Sequence, residues 1–323
     1  MQKNDLNSIV TARLCNLYHG LFLPQKNILD KHEAIEILET GFLHNNFYGL
    51  PLLIPTSLIQ KKVQKKLGDT YVWVGNENFA RFKIRLNKIF KVELEQLVKK
   101  ALGTNDMNHP GLQQFSILGD EFIAGSITSM ISGPKSKIYL NQLNSVQKMK
   151  NLAAIATRNS PHAGHIQIVD YLIKNKFAPI VSLTVSPVPG IQKIQNNKAI
   201  QSWLKTKDAK NWHQLQLCTI LEHSYLAGPR EACTQALMRK NLGASHFVVW
   251  RDLSGVNGYY KTYESQEEAC RISESIGIEI IKYPGSVFCN ECNSAITIGD
   301  CDHHSDRQND ISSSEFRKKG IFS

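Results

Sequence analysis

Residues 152–174 read LAAIATRNSPHAGHIQIVDYLIK, and this stretch decides the fold prediction. The apolar run 152–156 predicts a buried strand, and Ile168, Val169 and Leu172 predict the apolar face of an amphipathic helix. A polar turn lies between the two elements. A strand, turn and helix in this order open at the carboxyl end of the strand, where parallel sheets bind their ligands.

The same alternation of strands and helices continues along the chain. Apolar runs at 179–185 and 246–250 predict two more strands, and helices are predicted at 166–176 and around 230–241. The sequence therefore predicts an α/β domain in which helices cover a parallel sheet.

The chain up to about residue 147 has a different pattern. Short apolar runs at 50–54, 70–74 and 115–118 are separated by polar turns, and a helical stretch lies near 92–102. This pattern predicts a β-rich domain with a few helices.

The turn after the first α/β strand carries the residues that predict chemistry. His162 and His165 stand three apart at the predicted helix start, Gly164 leaves the backbone open, and Arg158 offers a planar fork of donors. A helix N-terminus adds unpaired N–H groups and partial positive charge. Phosphate binding is favoured over a surface turn with incidental histidines, and over a zinc pair, which lacks a third nearby ligand.

Four further motifs occur in order along the chain and make the interpretation specific. The motifs are GTNDMNHPG at 103–111, GPREA at 228–232, RKNLGASHF at 239–247 and Arg251-Asp252. Together with RNSPHAGH at 158–165, they resemble the motifs of the ATP sulfurylase (sulfate adenylyltransferase) family, in its bacterial zinc-containing type.

The resemblance implies a fold of three parts. It implies a PUA-like β-barrel over residues 1–147 and a Rossmann-like nucleotidyltransferase domain with an HxGH motif over 148–286. A zinc-binding and short C-terminal segment is expected over 287–323.

The resemblance also implies a reaction, in which an oxyanion oxygen attacks the α-phosphorus of ATP and pyrophosphate leaves. The acceptor is expected to be sulfate, giving adenosine 5′-phosphosulfate, and Mg²⁺ is expected to arrive with ATP. The implied roles are catalysis by Thr157, Arg158, Asn159 and Arg251, ATP binding by His162, Gly164, His165, Arg251, Ser313, Ser314 and Arg317, and acceptor binding by Arg158 and Ser254.

Several positions depart from the family pattern around the acceptor. Ala156 stands where the family has Gln, Ser160 where it has Pro, and Ala163 where it has Arg. The stretch 250–257 reads WRDLSGVN in place of GRDHAGxG. Two alternatives to sulfate therefore stay open: another oxyanion such as a phosphonate, phosphate ester or carboxylate, and a non-catalytic nucleotide-binding relative.

A cysteine cluster near the carboxyl end predicts a metal site. Cys289, Cys292, Cys301 and His303 form C-x2-C-x8-C-x-H, which offers three thiolates and one imidazole to a structural Zn²⁺. His304 is an alternative fourth ligand, and free thiols or a disulfide are the alternatives to zinc.

Composition limits the partners. The net charge is +10 over 323 residues, but the lysines are scattered with few aromatic residues among them, so no nucleic-acid groove is predicted. No apolar run approaches the length of a membrane span, and no secretory signal is visible at the start. A cytoplasmic homo-oligomer that binds ATP and an oxyanion is expected.

Overall fold

The computed structural model describes residues 3–64, 69–106, 108–188, 191–256 and 258–311. Its helices are α1 (Lys3–Tyr18), α2 (Lys31–Thr40), α3 (Leu94–Leu102), α4 (Leu112–Ser116), α5 (Pro134–Gln147), α6 (Ala163–Lys174), α7 (Ile191–Ala209), α8 (Gly228–Asn241) and α9 (Glu264–Ile276). Its strands are β1 (Phe42–Leu43), β2 (Asn46–Phe47), β3 (Ile54–Pro55), β4 (Lys61–Gln64), β5 (Thr70–Asn76), β6 (Ala80–Lys91), β7 (Glu121–Ser132), β8 (Leu152–Thr157), β9 (Ala178–Val185), β10 (Gln216–Leu221), β11 (Ala244–Trp250), β12 (Glu279–Tyr283), β13 (Ser286–Cys289), β14 (Ser294–Thr297) and β15 (Gln308–Asp310).

The amino-terminal part is built on an antiparallel five-stranded sheet in the order β3-β7-β6-β5-β4. The start of β6 alternates, with Ala80, Phe82 and Ile84 buried and the basic residues between them more exposed. This period of two directs one face of the sheet to the core, where α1 packs against β5 and β6. The predicted β-rich domain is confirmed as a half-barrel sheet; closure into a full barrel stays a prediction.

The three apolar runs of this part have different structures: 70–74 lies within β5, whereas 50–54 meets a strand only at Ile54 of β3. Residues 115–118 are not a strand: they form the end of α4 and the turn that follows it. The Leu118 N–H donates to the Phe115 carbonyl at 3.0 Å, and both side chains are buried. A spacing of three is compatible with one helical face, and the Phe115 ring stacks on Tyr225 at 4.6 Å between centroids.

The second sheet has five parallel strands in the order β10-β9-β8-β11-β12. All six residues of β8 are buried, as expected for a central strand covered on both faces. From β8 the chain adds β9 and β10 on one side and β11 and β12 on the other. The order reverses between β8 and β11, and such a switch point leaves a crevice at the carboxyl ends of the strands.

Apolar packing continues from one sheet to the other. One core cluster contains Leu14 of α1, Phe82 of β6 and Phe247 of β11. A second cluster lies under α6 and includes Leu172 and the fully buried Trp203. The domain boundaries predicted after residues 147 and 286 stay predictions.

The carboxyl-terminal part of the described chain is a small antiparallel sheet in the order β14-β13-β15. Its cysteine cluster is treated with the site below. Among the helices that the structure describes, none combines the length and the apolar character that a membrane span requires.

Candidate active site

A cavity of about 730 Å³ opens at the carboxyl ends of β8, β9 and β11, at the switch point of the parallel sheet. Eight residues predicted from the sequence line it: Thr157, Arg158, Asn159, Gly164, His162, His165, Arg251 and Ser254. They come from two stretches almost ninety residues apart in the chain, which the pairing of β8 with β11 brings together. Their individual roles stay predictions.

The turn after β8 is held by hydrogen bonds from both ends. The Asn159 N–H donates to Thr157 Oγ1 at 3.2 Å, and the Trp203 indole N–H donates to the Asn159 carbonyl at 2.9 Å. Arg158 lies between these two anchored residues and is exposed at the cavity. A fixed turn with a solvated guanidinium allows an incoming anion to meet a charge whose backbone is already positioned.

The two histidines interact with each other at the start of α6. His162 is the N-cap residue, and its N–H donates to His165 Nδ1 at 3.3 Å. His165 Nε2 lies 3.0 Å from Thr157 Oγ1. Because Nδ1 accepts a hydrogen bond, the neutral ring carries its proton on Nε2 and donates to the threonine. His165 is only 3% exposed, so its first contact is with Thr157; a contact with ATP stays a prediction.

Burial sets the charge of these rings. Desolvation lowers the pKa of His162 to about 4. Desolvation, and then the neighbouring His162, hold the pKa of His165 well below its ordinary value. Both imidazoles are therefore neutral at neutral pH and act as polar groups, and the positive charge of the site comes from arginines and from the helix N-terminus.

Gly164 lines the cavity and lies close to Ser286 and to the His162 ring. A Cβ at this position would lie 2.9 Å from Ser286 Oγ and 3.2 Å from the His162 ring. The glycine thus allows α6 to approach β13, where Ser286 bonds to Tyr283 at 2.6 Å. Close approach of a ligand at Gly164 stays a prediction.

Arg251 follows β11, and its side chain lies against a second glycine, Gly285. A Cβ on Gly285 would lie 2.8 Å from Arg251 Nε, and the φ of Gly285 is +101°. The loop beyond Arg251 is sharply turned, since Asp252 and Ser254 both have positive φ, at 56° and 59°. The Asp252 N–H donates to the Thr262 carbonyl at 2.8 Å, which helps to hold the loop.

Several residues that line the cavity were not predicted from the sequence. They are Thr184, Gln235, Trp250, Tyr260 and Ser286. Of these five residues, only Trp250 could have been found from the sequence, because it stands where the family motif GRDHAGxG has its first glycine. Tyr260 OH donates to the Leu102 carbonyl at 2.9 Å and lies 3.4 Å from His109 Nε2, which connects the motif at 103–111 to the cavity wall.

The predicted phosphate contacts Ser313, Ser314 and Arg317 lie outside the described residues. The described chain ends at Ile311, which itself lines the cavity.

The cysteine cluster is assembled at the end of β13. The ligand atoms of Cys289, Cys292, Cys301 and His303 all lie within 4.8 Å of one another. Cys289 Sγ lies 3.8 Å from Cys301 Sγ, and His303 Nδ1 lies 3.3 Å from Cys292 Sγ. Tetrahedral zinc with bonds of about 2.3 Å to sulfur requires a sulfur–sulfur separation of roughly 3.8 Å, so the donor set fits.

The two histidine candidates for this cluster are now separated. His303 points at the thiols, whereas His304 Nδ1 lies 3.2 Å from Asp306 Oδ1 and outside the cluster. All seven cysteines are free thiols in the structure.

The site combines arginines, imidazoles and a helix N-terminus at the switch point of a parallel sheet. This combination is typical of α/β proteins that bind phosphates. The family model for ATP-sulfurylase matches residues 137–319, and that for a PUA-like domain matches residues 1–132. The chain therefore belongs to the ATP-sulfurylase family.

Similar proteins agree with this assignment. The chain is 28% identical to the sulfate adenylyltransferase of Persephonella marina over 302 residues, covering 88% of this chain and 76% of that protein. It is 27% identical to that of Thermococcus onnurineus, covering 94% and 80%. The fold resembles a hexameric APS kinase from Thiobacillus denitrificans, with a TM-score of 0.64 at 14% identity, over 98% of this chain and 58% of that one.

Proposed function

We propose that the protein is a sulfate adenylyltransferase, which joins sulfate to the α-phosphate of ATP and releases pyrophosphate. The observation that carries the proposal is the single cavity that collects Arg158, His162, His165 and Arg251 at the sheet switch point. Membership of the ATP-sulfurylase family supports the same reaction. A sulfate oxygen forms the new bond to the α-phosphorus, and the bond from that phosphorus to the bridging oxygen of pyrophosphate breaks.

The residues of the site are suited to alignment and charge stabilisation. Arg158 and Arg251 both line the cavity and would neutralise the charge that grows on the phosphoryl oxygens. Asn159, fixed through its backbone by Trp203, would orient the α-phosphate. The start of α6 would hold the phosphate chain through its N–H groups and His162. The nucleophile is an anion already, so no general base is required.

Two metal ions belong to the proposal. Mg²⁺ would arrive on the phosphates of ATP and neutralise the leaving pyrophosphate. Zn²⁺ would be held by Cys289, Cys292, Cys301 and His303, with all four positions filled by protein, and would stabilise the small sheet without reacting.

The decisive experiment measures pyrophosphate release from ATP and Mg²⁺ with sulfate, molybdate, phosphate, a phosphonate or a carboxylate as the acceptor. Release that depends on sulfate, with adenosine 5′-phosphosulfate formed in equal amount, is expected. Release only with another oxyanion would support the second candidate, which Ala156 favours because it removes an amide from the cavity wall. ATP binding without release under every condition would support a non-catalytic protein.

We also propose the finer features that the sequence predicted. These are a Rossmann-like HxGH domain over 148–286 between the PUA-like domain and the zinc segment, a homo-oligomeric state and a cytoplasmic location. Sedimentation of the purified protein tests the oligomeric state, and limited proteolysis tests the domain boundaries.

A further inference from the structure

Arg239 is a buried cation that the reaction scheme above does not use. It lies in the last turn of α8 and is 1% exposed. Its Nε donates to Ser182 Oγ at 3.0 Å, and its Nη2 donates to Thr184 Oγ1 at 3.3 Å. Its Nη1 reaches the Gln235 carbonyl at 3.5 Å. These three hydrogen-bond acceptors are neutral oxygens, and the guanidinium also lies 5.9 Å from the centre of the Phe247 ring.

The charge of Arg239 has no direct counter-ion within the described part of the chain. Burial lowers the pKa of this guanidinium only to about 10, so the group is charged at neutral pH. The two buried carboxylates of the region are engaged elsewhere: Glu222 pairs with Arg13 at 2.6 Å, and Glu231 accepts from the Ala227 N–H at 3.0 Å. A buried cation without an ion pair is costly, and an anion bound nearby would reduce that cost.

The contacts of Arg239 lead to the cavity. Thr184 and Gln235 both line it, whereas Ser182 is fully buried behind it. The Gln235 Nε2 donates to Ser254 Oγ at 3.0 Å, the hydroxyl predicted to meet the acceptor. Arg239 therefore lies behind the cavity wall, in contact with Thr184 and Gln235. Gln235 in turn bonds to Ser254.

The guanidinium also fixes the direction in which two hydroxyl groups donate. Ser182 Oγ accepts from Arg239 and donates onward to the Ile155 carbonyl at 3.1 Å. Thr184 Oγ1 likewise accepts from Arg239, and within the described part of the chain this hydroxyl donates no hydrogen bond to the protein. Because a hydroxyl has a single proton, an accepting Thr184 keeps its O–H available to the cavity that it lines.

We propose that Arg239 is a positioning residue for the acceptor oxyanion: it orients the Thr184 hydroxyl as a donor and makes this end of the cavity cationic. The inference rests on the proposed function, which supplies the oxyanion. A tetrahedral dianion gains from both effects, whereas ATP, held from the α6 side, gains less. Arg239 and Thr184 would thus provide the acceptor binding that Ala156 no longer provides.

The test compares R239K, R239Q, T184V and T184S by steady-state kinetics with sulfate and ATP varied separately. R239Q and T184V are expected to raise the KM for sulfate at least tenfold and to change the KM for ATP less than threefold. T184S retains the hydroxyl and is expected to stay near wild type, with R239K between. Equal rises in both KM values, or an unchanged KM for sulfate in T184V, would overturn the inference.

R230Q is the matched control, since Arg230 lies on the same helix but donates to the Ile37 and Glu39 carbonyls. It is expected to leave both KM values unchanged. If R239Q does not fold, R239K, which keeps the positive charge, is measured beside T184V and T184S. A KM for sulfate in R239K equal to that of wild type would then overturn the inference.

A second readout separates this inference from the proposed function. Sulfate, and in parallel molybdate, is titrated against each protein with saturating α,β-methylene ATP, and the shift in melting temperature is followed. If wild type shows no sulfate-dependent turnover, the proposed function fails, yet the anion-induced shift still tests Arg239. A shift in wild type that is lost in R239Q and T184V supports the inference; equal shifts in all proteins, or none in wild type, reject it.

Discussion

His165 Nε2 lies 3.0 Å from Thr157 Oγ1, while Nδ1 of the same ring accepts the N–H of His162 at 3.3 Å. The second histidine of the motif thus links the end of β8 to the first turn of α6. Both ring nitrogens are engaged within the protein, which fixes the tautomer of the ring and the orientation of the turn that carries Arg158.

The Thr157 hydroxyl should therefore matter for activity. We expect T157V to lower kcat/KM at least tenfold, because it frees the turn, and to lower the free energy of unfolding by about 1–3 kcal/mol, because it leaves a buried N–H unpaired. T157S keeps the hydroxyl and should resemble wild type. Pyrophosphate release and urea unfolding measure the two effects, and equal kcat/KM values for T157V and T157S would contradict this interpretation.

Gly285 should be required by Arg251. In G285A the new methyl group meets Arg251 Nε at 2.8 Å, so the guanidinium must move and kcat/KM should fall at least tenfold. G299A is the control: its φ of +93° is similar, but nothing lies within 4 Å of the added Cβ. Both variants should lose roughly 1–3 kcal/mol of stability from backbone strain, and only G285A should lose activity. Equal activity losses would show that strain alone is responsible.

The cysteine cluster should contain one equivalent of zinc. C292S removes an exposed ligand and should bind zinc weakly and melt at a lower temperature, since metal affinity contributes to folding. C270S, on α9 and outside the cluster, is the matched control and should retain the metal. Elemental analysis in metal-free buffer measures the content. Well under one equivalent in wild type would reject the structural zinc site.

Stability should fall on acidification through the buried histidines. The pKa of His162 is about 4 in the folded chain, because burial disfavours the charged ring. The unfolded chain, with an ordinary pKa of about 6.5, binds more protons between these two values, so stability rises with pH in that window. His162 alone should account for a loss of about 2 kcal/mol between pH 7 and pH 5.

The measurement compares urea unfolding of wild type, H162Q and H32Q at pH 7 and pH 5. H162Q should lose less stability on acidification than wild type, and H32Q, whose side chain is 87% exposed, should behave like wild type. The same pH dependence in H162Q as in wild type would show that His162 is not the group responsible.

The strand, turn and helix of the site and the cysteine cluster could be predicted from the sequence alone, because each depends on the spacing of neighbouring residues. The apolar run 152–156 of β8, the polar turn and the amphipathic α6 each follow from the spacing of neighbouring residues. The cysteine ligands also follow from spacing within one short segment.

Tertiary structure decided the rest, because the deciding contacts join residues far apart in the chain. Ser182 and Thr184 contact Arg239 although they lie more than fifty positions away in the chain. The packing of α8 on the sheet buries this guanidinium beside hydroxyl groups and not beside a carboxylate. Residues 115–118 form the end of α4 and a turn, and Phe115 packs there on Tyr225, more than one hundred positions away. The sequence predicted the residues of the turn after β8, and only the fold placed Thr184 in the cavity wall with the buried Arg239 behind it.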